Sequence, residues 1–131
     1  MRVVVAETDF LIGLVHPRDK LHNRCIDLVR NYEVYLSPYS LLEYRLINVR
    51  EKDFEKWLKI FRYIDSILKY FRVDILPSNP LIHVYSMEYR LSRGLSLFDS
   101  LHAGVAKLYR VPLISSDKVY EDLDIEWIPL K

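Results

Sequence analysis

Cysteine is nearly missing: Cys25 stands alone in 131 residues, so no internal disulfide can form and the fold must rest on its own core. A lone thiol favours a reducing setting, and a cytoplasmic protein is expected. Glycine (3) and proline (6) are scarce, which argues against wholesale disorder, and no linker or low-complexity tract interrupts the chain. No apolar run approaches the about 18 residues of a membrane span. Met1–Ala6 meets Glu7 and Asp9 too early for a secretory leader, so no membrane partner is expected. An excess of charge is absent as well, with 19 Lys and Arg against 18 Asp and Glu. A dedicated nucleic-acid binder usually shows a basic excess. The balance decides nothing about RNA, and leaves room for an acidic pocket within a basic rim. His16, His22, His83 and His102 show no metal-ligand spacing, which argues against zinc.

What is present is apolar residues, half of the chain, enough at this length for one core; a single domain over residues 1–131 is expected. Val3–Val5 reads as a doubly buried strand, followed by a helix over Phe10–Val15 that Thr8 or Asp9 caps. Leu21, Cys25, Leu28 and Val29 recur at helical spacing up to about Arg30. Glu33–Ser37 suits a second strand. Tyr39 to about Val49 reads as a helix capped by Ser37, with Leu41, Leu42, Leu46 and Ile47 in register. A longer helix over Glu51–Phe71 carries Phe54, Trp57, Leu58, Phe61, Ile64, Leu68 and Phe71 along one side. Val73–Pro77 is a third strand, and Asn79-Pro80 opens a helix that Gly94 closes. Phe98–Tyr109 is helical, Val111–Ser115 a fourth strand, Asp117–Asp122 a short helix or turn, and Ile125–Ile128 a fifth strand. Strands alternating with helices predict a three-layer α/β/α sandwich around a short, mostly parallel sheet.

In such sheets, sites form beyond the carboxyl ends of the strands. Glu7 and Asp9 follow the first strand, and Asp117 follows the fourth. Two residues apart on an extended segment, Glu7 and Asp9 are expected to face the same way. Glu43 and Asp99 lie in apolar helical surroundings, where an ionised carboxylate without a partner is costly. A divalent cation gives such acids a reason to converge. Taken singly, each has an ordinary structural role: Asp99 and Asp117 as caps, Glu43 as a solvated charge or a partner of Arg45 or Arg50. Their order along the chain is the stronger signal.

That order resembles PIN domains, the nuclease fold of the VapC-type toxins of archaeal and bacterial toxin–antitoxin pairs, from Val3 to about Leu123. The resemblance rests on the turn Glu7-Thr8-Asp9, on Glu43 in Ser37–Glu43, on Phe98-Asp99-Ser100-Leu101-His102-Ala103-Gly104-Val105-Ala106, and on Leu113–Tyr120 with its Ser115-Ser116-Asp117 turn. The last two segments are the most specific. One departure stands out: the family's first acid is normally Asp, and here it is Glu7, with Asp9 two residues on.

The resemblance implies a metal-dependent endoribonuclease. Glu7, Glu43, Asp99 and Asp117 are its expected catalytic acids, and with Asp9 they are the expected ligands of Mg²⁺ or Mn²⁺, the first ligand being Glu7 or Asp9. Thr8 and Ser116, with Ser37 or Ser40, are expected to orient ligands or water. Arg45, Arg90, Arg93 and Lys118 are candidates for the RNA backbone. His102, three residues beyond Asp99, is the histidine placed to face the site. The resemblance further implies a homodimer and a cognate antitoxin, with the long helix after Glu51 offering apolar surface to either. Two alternatives stand beside it. One is a non-catalytic PIN-like scaffold binding RNA or protein. The other is a receiver- or phosphatase-like phosphoryl-transfer domain, for which Lys118 is the one candidate lysine, and which leaves Glu43 and Asp99 unexplained.

Overall fold

The structure, a computed structural model, describes residues 1–131. Along the chain run β1 (Arg2–Ala6), α1 (Thr8–Val15), α2 (His22–Asn31), β2 (Tyr32–Leu36), α3 (Ser40–Ile47) and α4 (Phe54–Tyr70). Then follow β3 (Asp74–Ile75), α5 (Pro80–Arg93), α6 (Leu97–Tyr109), β4 (Leu113–Ser115), a 3-10 turn (Lys118–Tyr120) and β5 (Trp127–Pro129). The strands lie in the order β3-β2-β1-β4-β5, and every neighbouring pair is parallel. The α/β/α sandwich is thus as expected, with a sheet that is parallel throughout.

β1 explains how the layers form. Alternate side chains of a strand point to opposite faces. Val4 and Ala6 accordingly join a core built with α1, α2, α3 and α4, whereas Val5 joins a second core with α5 and α6. All three are fully buried, which only a central strand covered on both sides allows. Burying each valine contributes roughly 1.5–3 kcal/mol as an upper figure. The order reverses between β1 and β4: the chain leaves β1 toward β2 on one side and later returns to pair β4 on the other. The crevice of the sheet therefore opens beyond Ala6 and Ser115.

α5 and α6 approach closely. A Cβ built on Gly104 would lie 2.7 Å from the carbonyl oxygen of Ile82, so only glycine permits this contact. The ends of α5 follow the sequence reading: Asn79 accepts from the Leu81 amide at 2.8 Å, and Gly94 closes the helix at φ 65°.

Several local expectations are corrected. α1 begins at Thr8 itself, so its cap is Glu7, whose Oε1 accepts from the Asp9 amide at 3.3 Å. Ser37 does not cap α3; Tyr39 takes that position without a side-chain bond. α3 turns Ser40 and Tyr44 inward, leaving Leu42, Leu46 and Ile47 exposed. On α4, Ile64 and Leu68 are buried and Trp57, Ile60 and Phe61 pack against the same core, while Phe54 and Leu58 lie on the outward side of the helix. β3 is cut to two residues at the sheet edge, where Pro77 follows closely.

Candidate active site

Beyond β1, Glu7 and Asp9 take different hydrogen-bond partners while their carboxylates stay close enough to interact. Because helix α1 starts at Thr8, successive side chains rotate by about 100° rather than alternating, and the two acids face different neighbours. Glu7 is buried, and its Oε2 accepts from the Tyr120 hydroxyl at 3.0 Å. Asp9 turns to the end of β4, where its Oδ2 accepts from the Ser116 amide at 2.6 Å and from the Ser116 hydroxyl. Its Oδ1 is buried with no hydrogen-bond partner.

Asp99, in the first turn of α6, comes to the same hydroxyl as Glu7: Tyr120 Oη lies 3.3 Å from Asp99 Oδ1. Ser96 caps α6 by accepting from the Asp99 amide, so the Asp99 carboxylate is not needed as the cap. Two acids far apart in sequence thus meet on one buried phenol.

Glu43 sits in the first turn of α3 and forms a second cluster. Its Oε1 accepts from the Thr8 hydroxyl and from His102 Nε2, the latter at 2.9 Å. His102 is wholly buried, and its Nδ1 lies 2.7 Å from Ser37 Oγ. With Ser37 Oγ at Nδ1 and Glu43 Oε1 at Nε2, both ring nitrogens of this buried histidine have a partner. Thr8 Oγ1, 3.5 Å from His102 Nε2, ties this cluster to the start of α1, one residue from Glu7.

The electrostatics of the two clusters differ. Burial raises the Glu7 carboxyl well above its ordinary range, and the charge of Asp9 pushes it the same way. Burial also pulls Glu43 upward, but the hydrogen bonds from His102 and Thr8, and the charge of the imidazole, outweigh it and leave Glu43 below its ordinary value. Tyr120 is held far above the usual phenol range by burial, then by Glu7 and Asp99, so its hydroxyl stays a donor.

Asp117 is the predicted acid that the structure keeps apart. It is exposed and caps the 3-10 turn, accepting from the Val119 amide at 3.0 Å. With Ser116, Lys118, Trp127 and Lys131 it lines a shallow concavity of about 480 Å³. Its nearest link to the other acids is through Ser115, which meets both the Asp117 amide at 3.0 Å and Asp9 Oδ2 at 3.5 Å. Arg45, Arg90, Arg93 and Lys118 are all exposed.

No three His, Cys, Asp or Glu side chains are grouped as a ready-made metal site. The donor chemistry nevertheless fits a hard divalent cation. The acids offer only oxygen, Asp9 Oδ1 is buried without a partner, and Glu7 beside Asp9 carries a charge conflict that a cation would relieve. Tyr120 was not singled out by the sequence. Its only signal there is its place three residues after Asp117, in the segment that carries the resemblance.

Comparison with known proteins supplies the family. Among curated proteins none matches the sequence significantly. Similar solved structures include VapBC from Salmonella typhimurium bound to DNA, with 13% identity and a TM-score of 0.74 over 100% of both chains. A toxin–antitoxin complex from Klebsiella pneumoniae shows 15% identity and a TM-score of 0.72 over 98% of both chains. Mycobacterium tuberculosis VapC20, described as a sarcin–ricin loop cleaving toxin, shows 15% identity and a TM-score of 0.65, over 92% of this chain and 95% of its own. At these identities the likeness shows a shared fold. The PIN domain model matches residues 4–126, nearly the whole length, and the chain belongs to the PIN domain family.

Proposed function

We propose that the chain, acting as one domain over residues 1–131, is a metal-dependent endoribonuclease and the toxin of a VapC-type toxin–antitoxin pair. The observation that carries this reading is the meeting of Glu7 and Asp99 on the Tyr120 hydroxyl, beyond the sheet's switch point, with Asp9 Oδ1 unpartnered nearby in the same turn. Glu7, Asp9, Glu43 and Asp99 would hold Mg²⁺ or Mn²⁺, with Asp117 reaching in from the rim. Such an ion, when bound, makes water a better nucleophile and offsets charge on the departing oxygen of a phosphodiester.

The chain's own residues do the rest. Glu43, kept ionised by His102 and Thr8, is held as a carboxylate suited to bind the ion. Ser116 orients Asp9, and Ser37 fixes the imidazole that orients Glu43. RNA as the substrate class is supported by the likeness to the toxin described as cleaving the sarcin–ricin loop. An antitoxin partner is supported by the complexes in which the similar chains were solved. The exposed apolar side chains Val84, Met87 and Leu91, on one face of α5, support a homodimer. No helix is long and apolar enough to cross a membrane.

A second reading, a PIN scaffold without catalysis, is favoured by the lack of a ready-made three-ligand group. Cleavage of a mixed single-stranded RNA pool, with Mn²⁺ or with EDTA and beside Asp99→Asn, separates the two. The nuclease predicts metal-dependent cutting that falls at least about 100-fold in the variant. Equal inertness of both proteins, together with no Mn²⁺ uptake, would leave the scaffold.

A further inference from the structure

Tyr120 has one proton to give and two carboxylates within reach: Glu7 Oε2 at 3.0 Å and Asp99 Oδ1 at 3.3 Å. Its ring is fully buried among Val5, Leu113 and neighbouring side chains of the second core, so the hydroxyl cannot swing away to water. A glutamate has three side-chain torsions to fix before its carboxylate has one position. In Glu7 they are pinned from both ends, Oε1 by the Asp9 amide at 3.3 Å and Oε2 by Tyr120. A carboxylate oxygen that accepts one hydrogen bond keeps a second lone pair. Glu7 is therefore immobilised without being used up, and Asp99 keeps Oδ2 free of any protein partner.

Packing alone does not require this arrangement. Phenylalanine would fill the same space against the second core without adding a polar atom that must be served. The hydroxyl instead draws two acids of like charge toward one point, an arrangement that costs stability unless something positive completes it. The contact spans 113 residues of sequence on the Glu7 side and 21 on the Asp99 side, so the three residues meet only in the folded chain.

We propose that Tyr120 is a positioning residue of the metal centre, its hydroxyl presenting Glu7 and Asp99 as a pair to the cation, with Glu7 and Tyr120 acting as one unit. This rests on the metal-dependent reading above. Hydrogen-bond partners of ligating carboxylates are worth about 10- to 100-fold in metal affinity. Shortening Glu7 to aspartate withdraws the carboxylate from Tyr120, so the two changes should remove the same interaction.

The test is Mn²⁺ affinity, measured by calorimetry and by the free-ion EPR signal, for wild type, Tyr120→Phe, Glu7→Asp and the double variant, with thermal melts alongside. Each single variant should lose about tenfold or more in affinity, and the double should bind about as weakly as the weaker single. A purely structural tyrosine would lower the melting temperature and leave the affinity unchanged. Wild-type affinity in Tyr120→Phe, or losses that multiply in the double variant, would overturn the proposal. Should Tyr120→Phe be unfolded, Glu7→Asp carries the test alone, and unchanged affinity there overturns it. No Mn²⁺ uptake by the wild type would sink the metal-dependent reading itself, and this inference with it.

Discussion

His102 on α6 holds Glu43 on α3 through a contact of 2.9 Å between Nε2 and Oε1, across 59 residues of sequence, the imidazole buried and the carboxylate half-buried. Ser37, at the end of β2, fixes the far side of the ring at 2.7 Å. One imidazole therefore joins a strand end and two helices, and sets the state of an acid at the candidate site.

Replacing His102 with leucine should cost about 1–3 kcal/mol, because the Ser37 hydroxyl and one bond to Glu43 lose their partner in a buried setting. Urea unfolding in EDTA reads the loss. The pH dependence follows from Glu43, whose folded value lies below the ordinary 4.5. Stability from such an acid is present above 4.5 and is lost as pH falls through the lower folded value. The gap between wild type and His102→Leu should thus be full at neutral pH and shrink in acid. A gap that does not change with pH would show that Glu43 gains nothing from the imidazole.

Glu7 behaves in the opposite sense. Burial and the charge of Asp9 raise its folded value, so its contribution is fully present below the ordinary glutamate range and is lost as pH rises through the folded value. Glu7→Gln removes the ionisation. In EDTA the variant should melt a few degrees above wild type at neutral pH, with the difference closing at acid pH. Melting curves over a pH series decide it, and a variant less stable at neutral pH would contradict the charge conflict between Glu7 and Asp9.

Gly104→Ala sets helix propensity against packing. Alanine gains about 1 kcal/mol in an exposed helix interior. Here its Cβ would meet the Ile82 carbonyl oxygen at 2.7 Å and Ile82 Cγ2 at 3.3 Å, and a backbone carbonyl within a helix cannot step aside. Overpacking costs about 1–3 kcal/mol and outweighs that gain, so a net loss of up to about 2 kcal/mol is expected in chemical denaturation. A stabilised variant would mean that α5 and α6 separate easily.

The sequence by itself determined what depends on near neighbours in the chain. Val3–Val5 had the composition of a doubly covered strand, Asn79-Pro80 and Gly94 bounded a helix by capping and backbone chemistry, and the alternation of strands and helices implied a parallel sheet. That acids follow the first and fourth strands was equally legible, as was the family they resemble. Helical periodicity misled where no layer lay opposite: Leu42, Leu46 and Phe54 keep the spacing of a buried face yet lie exposed, because burial needs a partner surface and not only a pattern. The capping role of Glu7 was hidden by a start to α1 one or two residues earlier than expected, and Asp9 found hydrogen-bond partners of its own at the end of β4. Tertiary structure alone decided the pairings at the site: Glu7 and Asp99 on Tyr120, Glu43 on His102, and Asp117 on the rim. Spacing along a chain fixes a side chain's direction relative to its own element. Which acid shares which proton depends on distances between elements, set when α1, α3 and α6 settle on the sheet.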